Sequence, residues 1–111
     1  MKCLKIDDKG LQLILAGKKT WEIRLRDTNV RGRIALGNTQ SKKYEGYAKI
    51  SDCKEFTIKD LKKFENKHQA SEFIERYASE RETLFAWVLS DIGIETNPKP
   101  YSYSTGSWCK T

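Results

Sequence analysis

The sequence predicts an α+β domain, a small β-barrel of about six mostly antiparallel strands with two to three flanking helices. Three observations point to it. Short stretches of period-two alternation recur along the whole chain, separated by turn chemistry. Two stretches, 11–15 and 70–78, carry apolar residues at helical spacing. The chain has 111 residues, 38% apolar and 32% charged, which bounds a single domain over residues 1–111 with one modest core. Closure is the economical arrangement for so many short strands; an open α+β sheet with helices on one face is the alternative.

Cys3-Leu4-Lys5-Ile6 alternates and reads as the first strand. Asp7 or Asp8 caps a helix whose stripe is Leu11, Ile14 and Leu15. Gly10 costs helix propensity, so the helix is expected to begin near Leu11 and to end at Gly17, a residue able to take the left-handed conformation. Residues 20–26 form the second strand. Trp21, Ile23 and Leu25 share one face; Thr20, Glu22, Arg24 and Arg26 share the other. Asp27-Thr28-Asn29 is a turn, and Ile34-Ala35-Leu36 is a short apolar strand. Residues 37–43 form a polar loop, followed by a strand over 44–53 with a register slip near Asp52. Thr57 caps a helix carrying Ile58, Leu61 and Phe64. Residues 66–69 interrupt it. Ala70, Phe73, Ile74, Tyr77 and Ala78 then define the clearest amphipathic helix, with Glu72, Glu75, Arg76 and Glu80 on its solvated side. Residues 84–89 are the most buried strand, and 91–96 continue it or curl away. Asn97-Pro98-Lys99-Pro100 is a rigid connector. Residues 101–108, aromatic and small-polar, end on an edge strand.

Several functional classes are excluded at this level. No apolar run is long enough to span a membrane, and the charged start Met1-Lys2-Cys3-Leu4-Lys5 lacks the core of a signal peptide, so a cytoplasmic protein is expected. Cys3, Cys53 and Cys109 are odd in number, far apart and without a Cys-x-x-Cys pair. They read as reduced thiols, and neither a zinc site with His68 nor any cofactor is expected. His68 is not expected to be catalytic. No phosphate-cradling glycine loop and no hydrolase motif is present.

The net charge of +6 is uneven: residues 1–50 carry 12 Lys/Arg against 5 Asp/Glu, and the remainder is close to balanced. A concentrated positive field attracts polyanions. The basic half holds the stretch Gly17-Lys18-Lys19-Thr20-Trp21-Glu22-Ile23-Arg24, where a helix stop runs directly into a strand bearing paired opposite charges.

That stretch resembles the GxKxxExR signature of the ASCH domains, members of the PUA-like superfamily, through Gly17, Lys19, Glu22 and Arg24. The entry Gly32-Arg33-Ile34 is similar too, as are the strand Gly46-Tyr47-Ala48-Lys49-Ile50 and the strand Ala86-Trp87-Val88-Leu89 with Asp91, followed by Asn97-Pro98-Lys99-Pro100-Tyr101. The resemblance covers nearly the whole chain. It implies a barrel with a cleft beside the signature strand and a role in RNA binding or an RNA-linked process. Some small bacterial members are amidohydrolases that deacetylate N4-acetylcytidine nucleosides with a lysine, a threonine and a glutamate. Lys19 matches that lysine, but Glu22 stands at the threonine position, and the third carboxylate stays open among Glu65, Glu72 and Glu75. A few members are described as nucleases; no local motif here carries that activity over.

The expected function is therefore recognition of single-stranded or modified RNA, or of a nucleoside, by a monomer. Lys18, Lys19, Glu22 and Arg24 would form the site, with Arg26, Arg31, Arg33, Ser41, Lys42 and Lys43 as a phosphate-contacting rim and Trp108, Tyr101 or Tyr103 as a base-stacking aromatic. If the protein is an enzyme, Lys19 and Glu22 are its catalytic candidates. The further alternative is a protein-interaction module with a basic face. Trp21 and Trp87 are expected in the core.

Overall fold

The computed structural model of the chain describes residues 1–102 and 106–111. The expected aromatic Tyr103 lies outside the described residues.

The first strand, β1 (Lys2–Ile6), leads into helix α1 (Asp8–Leu15). The helix begins earlier than its glycine suggests, because Asp7 is the cap and its carboxylate accepts the Gly10 N–H at 3.1 Å. A Cβ at residue 10 would stand only 2.9 Å from Asp7 Oδ1. At the other end Lys18 N–H donates to Leu13 O and Gly17 N–H to Ile14 O, with Gly17 at φ +77°. Those two bonds are the Schellman closure, and they aim the chain straight into β2 (Trp21–Arg24). This strand is shorter than the alternation implied. The carbonyls that would extend it are taken by side chains: Arg81 Nη2 donates to Leu25 O and Trp87 Nε1 to Arg26 O, both at 2.9 Å.

Next come β3 (Gly32–Asn38) and the long β4 (Lys43–Thr57). The helical region is more broken than expected. Helix α2 (Ile58–Leu61), capped by Thr57, runs into a 3-10 turn (Lys62–Phe64) and a further turn of helix, α3 (Glu65–His68). Residues 66–68 thus extend the helical region rather than interrupt it. The break falls at Gln69, in the left-handed region at φ 49°, before α4 (Ser71–Tyr77). Strand β5 runs unbroken from Thr83 to Pro100, bending where Asp91 takes φ 50°. The expected connector 97–100 is therefore part of a strand, with Lys99 and Pro100 in register with Tyr44 and Lys43. Strand β6 (Trp108–Lys110) is a terminal edge strand, but it begins at the residue where the expected stretch 101–108 ends.

The strand order is β2-β5-β4-β3-β1-β6. All ladders are antiparallel except β1 with β3. The expected closure into a barrel is not made: the sheet is open, and β2 and β6 stand at its two ends. Both end strands are short, so little backbone is available to join them. Side chains span the gap instead. Arg24 Nη2 donates to Lys5 O on β1 at 2.7 Å, and Trp87 stacks on Trp108 with ring centroids 5.9 Å apart.

Besides a small cluster of Cys3, Ala35, Tyr101 and Cys109, two larger apolar cores form among the described residues. One lies between α1 and the sheet, around Leu4, Leu11, Ile14, Leu36, Ile50 and Leu89. The other lies between the β2–β5 pair and the helical region, around Trp21, Ile23, Leu61, Ile74 and Leu84. Trp21 and Trp87 are buried as expected. A cleft opens between these two halves.

Candidate functional site

The floor of the cleft is the signature strand. Trp21 and Ile23 point into the second core, so the period-two rule turns Glu22 and Arg24 to the opposite face. Lys19 is only 4% exposed and Glu22 7%. Lys19 Nζ donates to His68 O at 2.6 Å and lies 3.4 Å from Glu22 Oε1. Glu22 Oε2 accepts from Arg24 Nε at 2.9 Å and lies 2.8 Å from Nη2. One carboxylate thus holds two cations, each oxygen facing one of them. Charges so far from water persist only when paired and hydrogen-bonded.

The Lys19 Nζ group carries three donors; one is hydrogen-bonded to His68 O, and Glu22 stands at ion-pair distance. Arg24 directs Nε and Nη2 at Glu22 and Lys5 O; among the described residues, its Nη1 has no hydrogen-bond partner. Donor capacity on both cations is therefore left for a ligand.

The cleft measures about 820 Å³. One wall is β1 and the start of α1, with Lys5, Asp7 and Lys9. The other is α3 and α4, with Glu65, Glu72, Phe73 and Arg76. Five cations (Lys5, Lys9, Lys19, Arg24, Arg76) face four carboxylates (Asp7, Glu22, Glu65, Glu72). Such a lining offers donors and acceptors together, unlike a uniformly basic patch.

His68 braces the floor from behind. It is fully buried, with Nε2 2.8 Å from Leu61 O and Nδ1 accepting the Ala70 N–H at 2.9 Å. These partners assign the proton to Nε2 of a neutral ring. Burial pushes its pKa below the ordinary histidine value, against the opposing pull of its bond to Leu61 O and the Glu65 carboxylate, while Lys19 adds to the lowering. The His68 carbonyl is what holds Lys19, so the ring and the cleft floor are connected through one residue.

Of the residues expected at the site, Lys19, Glu22 and Arg24 come together on the cleft floor. Arg26 borders an adjoining recess with Arg24. The rest lie elsewhere. Lys18 is exposed beyond the helix end. Arg31 donates to the Thr28 and Val30 carbonyls, and Arg33 stacks on Tyr47, 4.8 Å from the ring centre. Ser41 donates to Glu45 in the β3–β4 turn, where Lys42 and Lys43 are exposed. Trp108 packs on Trp87, with Lys2 Nζ over its ring. Tyr101 is buried, its hydroxyl donating to Asn38 O. Among the helical carboxylates, Glu65 and Glu72 reach the cleft, whereas Glu75 pairs with Lys62 at 3.0 Å. The sequence offered Glu65 and Glu72 only as possible third carboxylates and missed Phe73 and Arg76 of the second wall. Phe73, read as core, is half-buried and borders the cleft. Glu72 and Arg76, read as solvated, line it; their i,i+4 spacing on one helix face was the available signal.

An open six-stranded mixed sheet, with helices against it and a charged cleft over a Gly-x-Lys-x-x-Glu-x-Arg strand, defines a small α+β domain of the PUA-like kind. The chain belongs to the ASCH domain family, whose model matches residues 4–97. Its fold is similar to the crystal structure of ASCH from Zymomonas mobilis, with a TM-score of 0.78 at 20% identity over 89% of this chain and 72% of that one. Two single-substitution mutants of the same Zymomonas mobilis protein agree at 20% identity over 89% of this chain. One, tyrosine to phenylalanine, gives a TM-score of 0.78 over 74% of that chain; the other, serine to alanine, gives 0.75 over 72%. No curated protein matches the chain.

Proposed function

We propose that this ASCH domain binds single-stranded or modified RNA, or a nucleoside, in the cleft over β2. The observation that carries this reading is the Lys19–Glu22–Arg24 cluster, three charged groups withdrawn from water at the bottom of an open cleft. Glu22 holds two cations in fixed positions, so their remaining donors are aimed before a ligand arrives, which lowers the ordering cost of binding. A base presents carbonyl and ring-nitrogen acceptors to Lys19 and Arg24, and its exocyclic amine meets the spare lone pairs of Glu22 or Glu72. Phe73 offers an aromatic face for stacking. The test is titration of labelled single-stranded RNA, single-stranded DNA and free nucleosides at low ionic strength. RNA affinity is expected to fall as salt rises and to fall further in Arg24→Ala and Lys19→Ala, each compared with its own thermal melt. Absence of binding to all three ligands retires this reading.

One observation favours a second reading, that of an amidohydrolase acting on an N4-acetylcytidine-type nucleoside. Glu65 and Glu72 line the same cleft as Lys19, so a helical-region carboxylate faces the signature lysine. Against it, Lys19 Nζ already donates to the His68 carbonyl and pairs with Glu22, so the nitrogen is engaged by the protein itself. Incubation with N4-acetylcytidine, with chromatography for released cytidine, separates the two readings. An inert protein at high concentration leaves recognition alone.

A further inference from the structure

We propose that the ligand is an oligonucleotide rather than a lone nucleoside, and that its second nucleotide occupies a separate recess beside Arg26. This rests on the nucleic-acid reading of the main cleft. A second hollow of about 280 Å³ is bounded by Arg24, Leu25, Arg26, Phe73 and Ser107. It shares Arg24 and Phe73 with the main cleft, so the two adjoin and form one track past the end of β2.

Three features suit that track to a nucleic-acid strand. The first is a cation at the exit, carried on a held backbone. Both neighbouring carbonyls are pinned, Leu25 O by Arg81 and Arg26 O by the Trp87 indole, so the backbone that carries Arg26 is held on rigid supports. The Arg26 side chain is exposed and has no acidic partner among the described residues. The second is adjacency. Arg24 and Arg26 both border the recess, one at the end of β2 and the other two residues on, where the chain bends away from the strand, so two cations flank one passage. The third is Phe73 between the hollows, edge-on to Tyr77 with centroids 5.0 Å apart. An aromatic beside a basic track is the general solution for holding single strands, one stacking while the other follows the backbone. The base of the first nucleotide then lies over Lys19 and Glu22, the linking phosphate passes Arg24 and Arg26, and the second nucleotide enters the recess.

The test compares nucleosides, their 5′-monophosphates and the matching dinucleoside monophosphates by calorimetry, on the wild-type chain and on Arg26→Ala and Arg26→Glu. The dinucleoside monophosphate is expected to bind at least about fivefold tighter than its nucleoside, the lower end of what one stacked base contributes. Arg26→Ala should weaken the dinucleotide several-fold more than the nucleoside, and Arg26→Glu more again. Dinucleotide affinity should fall as salt rises, and that of the uncharged nucleoside should fall less. Arg26 is exposed, so thermal melts of both variants should match wild type. Nucleoside binding with no gain for the dinucleotide overturns the second subsite and leaves the main cleft standing. Binding of neither overturns both.

Discussion

Glu22 and Arg24 lie two residues apart on one face of β2 and are joined through a single carboxylate oxygen, which accepts from Arg24 Nε at 2.9 Å and sits 2.8 Å from Nη2. The same guanidinium donates to Lys5 O, across the gap that the open sheet leaves between β2 and β1. The pair is therefore both the floor of the cleft and a tie between the two ends of the sheet.

Removing Arg24 leaves Glu22 with Lys19 as its remaining cation, and removing Glu22 leaves both cations without their carboxylate. Glu22→Gln or Arg24→Met alone is expected to cost about 3 kcal/mol, on the order of 10 °C in Tm at this chain length. The double variant should cost less than the sum of the singles, since the Arg24 charge that Glu22→Gln alone leaves without a carboxylate is then absent. Denaturant titrations of the four proteins measure this; strict additivity would show that the pair carries no coupling.

His68 makes stability depend on pH. Its folded-state pKa lies below its ordinary value of 6.5, mainly through burial, so near and below pH 6.5 the unfolded chain binds the proton more readily than the folded one. Stability from this group is fully present above pH 6.5 and is lost as pH falls toward the folded-state pKa. Thermal melts from pH 7.5 to 5 should decline, and His68→Gln should flatten the decline even if its stability at pH 7.5 is lower. An unchanged slope in that variant would assign the decline to other groups.

The cysteines should resist alkylation. Cys3 and Cys109 are buried and adjacent across the β1–β6 ladder. Burial raises both thiol pKa values, and Cys3 is raised further by its hydrogen bond with Cys109. Cys53 is part-exposed, and burial raises its pKa as well. In native protein at pH 8, iodoacetamide should modify Cys53 slowly and the other two not at all, whereas all three should react in guanidinium. Mass spectrometry of the labelled peptides reads the outcome.

Gly46 on β4 lies against Leu15, the last residue of α1. A Cβ there would meet Leu15 Cδ2 at 2.5 Å and the Gly93 carbonyl at 2.7 Å. The leucine tip can shift, but the backbone oxygen of the partner strand cannot shift without disturbing the ladder. Gly46→Ala should therefore destabilise by about 1–3 kcal/mol, seen as a lower denaturant midpoint with the slope unchanged.

Much of this molecule was legible from local signals. Asp7 and Gly17 marked the two ends of α1, the alternation from Trp21 to Arg24 assigned its faces, and the slip near Asp52 is a true register shift between Ile50 and Asp52. The helix ends and the strand faces depend on contacts within a few residues, where chemistry and spacing suffice; the slip is made against β5 but shows locally as a break in the alternation. The errors had a different origin. Gly10 looked like a helix breaker because the carboxylate that caps it was not weighed together with it. The stretch 97–100 looked like a connector because its partner strand lies more than fifty positions away in sequence.

The sequence by itself determined the paired charges of the floor: Lys19, Glu22 and Arg24 follow from one helix stop and one period-two strand, both of them local geometry. Only the tertiary structure decided what they face. The carbonyl that holds Lys19 belongs to His68, 49 residues further on, and the opposite wall comes from α4. It also decided that the sheet stays open, because side chains consume the Leu25 and Arg26 carbonyls before β2 can be prolonged, leaving the ends of the sheet to be joined by Arg24. Long-range packing selects those partners, and no spacing along the chain encodes them.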